Sequence, residues 1–126
     1  MDRPTALIVD DHAGFRAIAR DMLTVAGLDV VAEAADGASA LQAADRHCPA
    51  VVLLDIRLPD MDGFAVARAL AGRPTPPVVV LVSSRDAADF GRRVAMAGVA
   101  GFISKSRLSP DTLHAILGGT REETAP

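Results

Sequence analysis

The sequence predicts an α/β domain in which five parallel strands alternate with five helices that cover both faces of one sheet. Three observations carry this. Unbroken runs of Val, Leu and Ile at 5–9, 51–54 and 78–82 suit strands buried on both faces of a parallel sheet. Between them the apolar spacing changes to the helical period, and Gly, Pro or a capping Asp stands at each transition.

Residues 5–9 form the first strand and deliver Asp10 and Asp11 at its carboxyl end. Phe15, Ile18, Ala19, Met22, Leu23 and Ala26 then give a helix with a continuous apolar stripe, closed by Gly27. The second strand is 30–34. Asp36 caps a helix that carries Ala40, Leu41 and Ala44 inward and runs to about His47, where Pro49 prevents continuation.

The stretch VVLLDIRLPDMDG, 51–63, is the centre of the pattern: four apolar residues run into Asp55 and then into a loop rich in turn formers. Asp62 caps a third helix from about Gly63 to Ala71. The prolines of 73–77 make a loop that leads into strand 78–82, followed by Ser83 and Ser84. Asp86 opens a fourth helix, with Ala87, Phe90 or Gly91, Val94 and Ala95 inward and Gly98 as its end. A short strand, 101–104, delivers Lys105, and Ser109-Pro110 begins a last helix with Leu113, Ile116 and Leu117 inward, stopped at Gly118-Gly119. The domain therefore occupies 1–118, and 119–126, with nothing apolar to bury, is expected to be a disordered tail.

Right-handed crossovers turn this order into a doubly wound, flavodoxin-like sheet of strand order 2-1-3-4-5, with its switch point between the first and third strands. Ligands bind such sheets at the carboxyl ends of the strands.

Composition narrows the function. The chain has 126 residues, a net charge of −3 and a pI near 5.5, with no basic run, which argues against direct nucleic-acid binding. The single Cys48 excludes an internal disulfide and is read as a small buried hydrophobe; the N-terminal segment has no signal-peptide or membrane pattern, so a cytoplasmic, non-membrane protein is expected.

The strand ends carry the chemistry. Asp10, Asp11, Asp55, Ser83 and Lys105 converge on one crevice. A pair of aspartates at a strand end is, alone, more often a turn or a cap. Three carboxylates together repel one another unless a cation relieves them, and Mg²⁺ with oxygen ligands fits that charge. An amine, a hydroxyl and Mg²⁺ around one carboxylate can receive a phosphoryl group, with Asp55 as nucleophile. His12, His47 and His114 have no partners at metal-ligand spacing and are read as surface or capping residues.

From LIVDDH through ISK to the last helix, the sequence resembles the receiver domain of two-component response regulators. The resemblance implies phosphorylation of Asp55 by a sensor histidine kinase in a Mg²⁺-dependent reaction, with phosphoryl transfer and autodephosphorylation as its only chemistry. It implies Asp11 as a direct metal ligand, Asp10 acting mainly through water, and further ligation by Asp55 and the Arg57 carbonyl. Ser83 matches the hydroxyl switch, Phe102 the switch aromatic and Lys105 the phosphate-gripping lysine; Pro59 and Gly63 match loop positions. As a switch, Phe102 would turn inward when Ser83 moves, altering the face made by the fourth helix, fifth strand and last helix.

DDHAGFR and VVAEAADGASAL resemble most the subgroup that often carries a helix-turn-helix output domain. A stand-alone receiver with a protein target is expected here, with a truncated protein bearing a DNA-binding output domain as the alternative and a homodimer possible in either. Family members commonly place a cis proline after the lysine, where this chain has Ser106; a cis bond to a non-proline residue costs about 3–4 kcal/mol, so a trans bond is predicted. Arg57 and Arg85 are predicted to overhang the pocket and prolong the phosphorylated state.

Three rival readings are weaker. An aspartyl-nucleophile phosphohydrolase needs an acid two residues after Asp55, where Arg57 stands; a flavin or nucleotide carrier would be repelled by Asp10 and Asp11; an interaction module without phosphorylation would not need the intact site.

Overall fold

The computed structural model describes residues 3–84 and 98–119. Its strands are β1 (Thr5–Val9), β2 (Asp29–Ala34), β3 (Val51–Asp55), β4 (Val78–Ser83) and β5 (Gly101–Ser104), and its helices α1 (Ala13–Val25), α2 (Gly37–His47), α3 (Gly63–Ala71) and α4 (Pro110–Gly119). The sheet order is β2-β1-β3-β4-β5, all parallel, as the sequence predicts. The helix expected over 86–98, apart from its closing Gly98, Arg85 before it, and the tail from 120 lie outside the described residues.

Strand register places the crevice. Val9 pairs with Leu54, Asp55 with Val82, and Ser83 with Ser104. Asp10 and Lys105 each follow the last residue of a strand, so the register brings both to the same edge as Asp55. Two apolar layers hold the sheet. Leu7, Val9, Val52, Leu54 and Leu81 pack with Phe64, Val66 and Leu70 on one face, and Ala6, Ile8, Leu53, Val80 and Val82 pack with Ala19, Leu23, Leu113 and Leu117 on the other.

The capping aspartates act where predicted. Asp36 accepts from the Ser39 amide at 2.8 Å, and Asp62 accepts from the Phe64 amide at 2.8 Å. Ser109 and Thr112 cap α4 reciprocally, each side chain accepting from the other's amide, at 3.1 and 2.9 Å. Gly27, at φ 98°, ends α1 in the left-handed region.

Three expectations are corrected. Ile18 is 53% exposed, because it lies one residue, about 100° of helical rotation, from the buried Ala19 and so falls on the flank of the stripe. Cys48 is exposed and caps α2 with a left-handed backbone (φ 44°); the chain must turn outward there before Pro49. The last helix runs through Gly118 and includes Gly119.

The loop after Asp55 is tightly returned. Gly63 donates its amide to the Ile56 carbonyl at 2.6 Å, and a Cβ on Gly63 would lie 2.3 Å from the Asp55 carbonyl oxygen and 2.7 Å from Ile56 Cα. Both obstacles are backbone, so neither can rotate away. Asp60 then anchors the loop to α2, accepting from the Gly37 and Ala38 amides at 2.7 and 2.9 Å. These bonds hold the Asp60 carboxyl below the usual carboxylate range. Together with Asp36, Asp60 satisfies the first three free amides of α2.

Gly63→Ala is predicted to destabilise the fold by at least about 3 kcal/mol, read as a fall in the urea midpoint; an unchanged midpoint would show that the loop relaxes freely. Because the Asp60 carboxyl is lowered on folding, its contribution is present above its unfolded pKa and lost as pH falls through the folded value. Asp60→Asn should therefore flatten the acid limb of a stability–pH profile.

Candidate functional site

Asp10, Asp55 and Lys105 meet at the carboxyl edge. Asp10 is fully buried and Asp55 nearly so. Lys105 Nζ lies 2.6 Å from Asp10 Oδ2 and donates to Asp55 Oδ2 at 3.3 Å. The opening residue of a single 3₁₀ turn, Lys105–Arg107, Lys105 leaves β5 pointing back over the sheet edge. The described residues contain no cis peptide bond, so Lys105–Ser106 is trans, as expected from the missing proline.

Phe15 of α1 completes the lysine's seat. Its ring centroid is 4.5 Å from Lys105 Nζ, a cation–π distance that steers the ammonium where its apolar stem would otherwise leave it free. In the sequence Phe15 stands out only as part of an apolar stripe, although its place in the first turn of α1, next to the strand ends, is a signal for this role.

Burial raises the Asp55 carboxyl above the usual carboxylate range, and the neighbouring Asp10 charge adds to it; the Arg57 amide and Lys105 oppose without cancelling it. Burial alone would lower the Lys105 amine, but contact with Asp10 and Asp55 outweighs it and the ammonium is held above its ordinary value. Asp10 Oδ2 is sealed from solvent and lacks any aligned hydrogen bond, although the ammonium is close. The carboxylates are thus incompletely compensated, the electrostatic condition that a divalent cation relieves.

Asp10, Asp11, His12 and Asp55 each offer one ligand atom, all within 4.8 Å of one another. His12 is an exposed residue at the N-cap of α1, as expected, but it does have carboxylate partners at ligand spacing, which was not expected. Its amide donates to Asp10 Oδ1 at 2.8 Å, folding the chain back so that Nδ1 lies 3.1 Å from both Asp10 Oδ1 and Asp11 Oδ1. Sequence spacing does not reveal this histidine, because the turn closed by its own amide makes the contact. Of the other two, His47 is exposed in the last turn of α2, and His114 Nε2 meets the Ala26 carbonyl at 2.8 Å, at the end of α1.

The remaining predicted residues surround this core. The Arg57 amide donates to Asp55 Oδ1 at 3.2 Å while its side chain is exposed. Ser83 is buried at the end of β4, and Phe102, half-buried on β5, packs on the same apolar layer as Leu81. A second support comes from Arg16, which donates to the Asp10 carbonyl at 2.7 Å and, with Arg20, pairs with Glu33 of β2.

Comparison with known proteins agrees with this geometry. The profile of the response regulator receiver domain matches residues 6–118. The chain belongs to the receiver domain family of two-component response regulators.

This receiver domain is 35% identical over 117 residues to "Probable transcriptional regulatory protein NarL" of Mycobacterium tuberculosis, covering 92% of the chain and 54% of the relative. It is 31% identical to "DNA-binding transcriptional activator EvgA" of Escherichia coli K12, covering 88% and 54%. The chain thus spans about half the length of the curated relatives it matches. The solved signal receiver domain of the M. tuberculosis NarL superposes with a TM-score of 0.81 at 33% identity, covering 94% of this chain and 99% of that one. A two-component response regulator of the LuxR family from Aurantimonas gives 0.82 at 28% identity, covering 94% and 87%. Receiver domains are signalling modules, and no described helix here is long and apolar enough to cross a membrane.

Asp55→Asn is predicted to stabilise the metal-free receiver at neutral pH, since it removes a charge that folding buries unfavourably. A raised folded pKa means that the native state holds its proton longer, so wild-type stability falls as pH rises through the interval between the unfolded and folded values. The gain in Tm should shrink as pH drops below that interval; a variant less stable than wild type at pH 7 would contradict it.

Proposed function

We propose that this receiver domain accepts a phosphoryl group on Asp55 from the phosphohistidine of a sensor histidine kinase, in a Mg²⁺-dependent reaction. The observation that carries the reading is the buried Asp10–Lys105–Asp55 contact, in which a raised carboxyl is held against a single ammonium.

The residues fit the ion. Asp10, Asp11 and Asp55 carboxylates, with the Arg57 carbonyl, form an oxygen-rich set suited to a hard cation, and the single Lys105 ammonium offsets only part of its buried negative charge. When bound, Mg²⁺ would supply charge neutralisation to the phosphoryl oxygens in a loose transition state.

The chain's own groups do the rest. An Asp55 carboxylate oxygen forms the new bond to phosphorus, the donor's P–N bond breaks, and its electron pair leaves with the donor imidazole. Lys105, already seated by Phe15 and paired with Asp55, binds a non-bridging oxygen of the arriving group. The Ser83 hydroxyl binds another. Because Ser83 pairs with Ser104, two residues along β5 from Phe102, a movement of Ser83 would be passed to the Phe102 ring and so to the β5 surface. Autodephosphorylation by water returns the carboxylate, and the exposed Arg57 side chain, two residues after Asp55, would obstruct that water.

The proposed partners are the kinase and, after phosphorylation, a second copy of the chain or a downstream target. The relatives' names, one of them a DNA-binding activator, favour a DNA-binding output domain over a separate protein target, with the receiver itself not touching nucleic acid. A cytoplasmic setting accords with such a kinase partner.

Incubation with acetyl phosphate and Mg²⁺ should add the mass of one phosphoryl group to the wild-type chain. Chelation of Mg²⁺, or Asp55→Asn, should abolish the adduct. No adduct on the wild type, or an equal adduct on Asp55→Asn, would overturn the proposal.

A further inference from the structure

We infer that His12 is a nitrogen ligand of the divalent ion, so that this receiver site takes a borderline transition ion such as Co²⁺ more tightly than Mg²⁺. The inference rests on the reading of the acidic crevice as a cation site and concerns which ion that site prefers.

Placement argues for ligation. His12 occupies the N-cap position of α1, yet its side chain makes no capping hydrogen bond to the helix. The ring is turned instead into the carboxylates, with Nδ1 at 3.1 Å from both Asp10 Oδ1 and Asp11 Oδ1. Two cis ligands on an octahedral ion, each at about 2.1 Å, are about 3.0 Å apart, and trans ligands about 4.2 Å. Both His12 contacts match the cis spacing, and the whole set, Asp55 included, lies within 4.8 Å, so that a contraction of a few tenths of an ångström would bring every pair within the trans distance. Asp10 Oδ2, fully buried, has the Lys105 ammonium at 2.6 Å, one positive charge against the three carboxylates of the cluster.

Proton accounting is simple. Ion binding takes the Nδ1 lone pair, and the ring proton of a neutral imidazole then resides on Nε2. The side chain is 70% exposed, so solvent can receive that N–H. A divalent ion also brings three carboxylates and one ammonium to neutrality, which a neutral imidazole leaves unchanged. Imidazole strengthens binding of Mn²⁺, Co²⁺, Ni²⁺ and Zn²⁺, whereas Mg²⁺ favours oxygen and water, so a nitrogen donor here separates the two classes.

Calorimetric titration of the folded chain with MgCl₂ and CoCl₂, and electron spin-echo spectroscopy of its Mn²⁺ complex, test this together. The site to be scored is the one that Asp11→Asn abolishes, which separates it from ion binding at His47 or His114. Wild type should bind Co²⁺ at least about tenfold more tightly than Mg²⁺, and His12→Gln should lose about tenfold or more on Co²⁺ but under about threefold on Mg²⁺. The Mn²⁺ complex should show nitrogen modulation from a bound imidazole, absent in His12→Gln. Equal Co²⁺ affinities of wild type and His12→Gln, or no nitrogen modulation in the wild type, overturns the inference while Mg²⁺ binding leaves the cation site standing. Absence of any Asp11-dependent ion binding overturns both.

Discussion

One ammonium between two buried carboxylates is the interaction on which the site depends. Lys105 sits 2.6 Å from Asp10 and 3.3 Å from Asp55 in a place where water is largely excluded, and there a single positive charge cannot match two negative ones, still less three when Asp11 is counted. The result is a notch that is stable enough to fold yet short of positive charge. In the proposed reaction a divalent cation would supply the missing positive charge, and the same charge would stabilise a phosphoryl group on Asp55.

The fold exists, in this respect, to bring three strand ends into line. Parallel register sets Asp10 beside Asp55, and the β4–β5 pairing sets Lys105 one residue beyond. Small side chains and aliphatic layers on both faces let the helices lie close, so α1 delivers Phe15 to the lysine and Arg16 to the Asp10 carbonyl. Gly63, by its backbone approach to Asp55 and Ile56, and Asp60, by its carboxylate on the α2 amides, restrain the loop after Asp55.

Much of this was legible in the sequence, for identifiable reasons. Continuous Val-Leu runs fix buried strands, aspartates before helical stretches fix caps, and strand alternation with helices fixes the sheet order, so Asp10, Asp55 and Lys105 could be placed on one edge in advance. What escaped notice depends on three-dimensional turns. His12 reaches Asp10 and Asp11 only because its amide bends the chain back, Asp60 caps a helix that begins 23 residues earlier in the chain, and Phe15 matters for where its ring ends rather than for its hydrophobicity. Ile18 and Cys48 show the converse: an apolar type does not ensure burial when the residue lies on a helix flank or at an outward turn.

The charge shortage at Asp55 can be measured by titrating its side-chain carboxyl carbon by NMR, with and without Mg²⁺. The midpoint should lie above that of an ordinary aspartate in the absence of Mg²⁺ and fall clearly when the ion is added. An ordinary midpoint that Mg²⁺ leaves unmoved would show that Asp55 is neither short of positive charge nor part of a shared cation site.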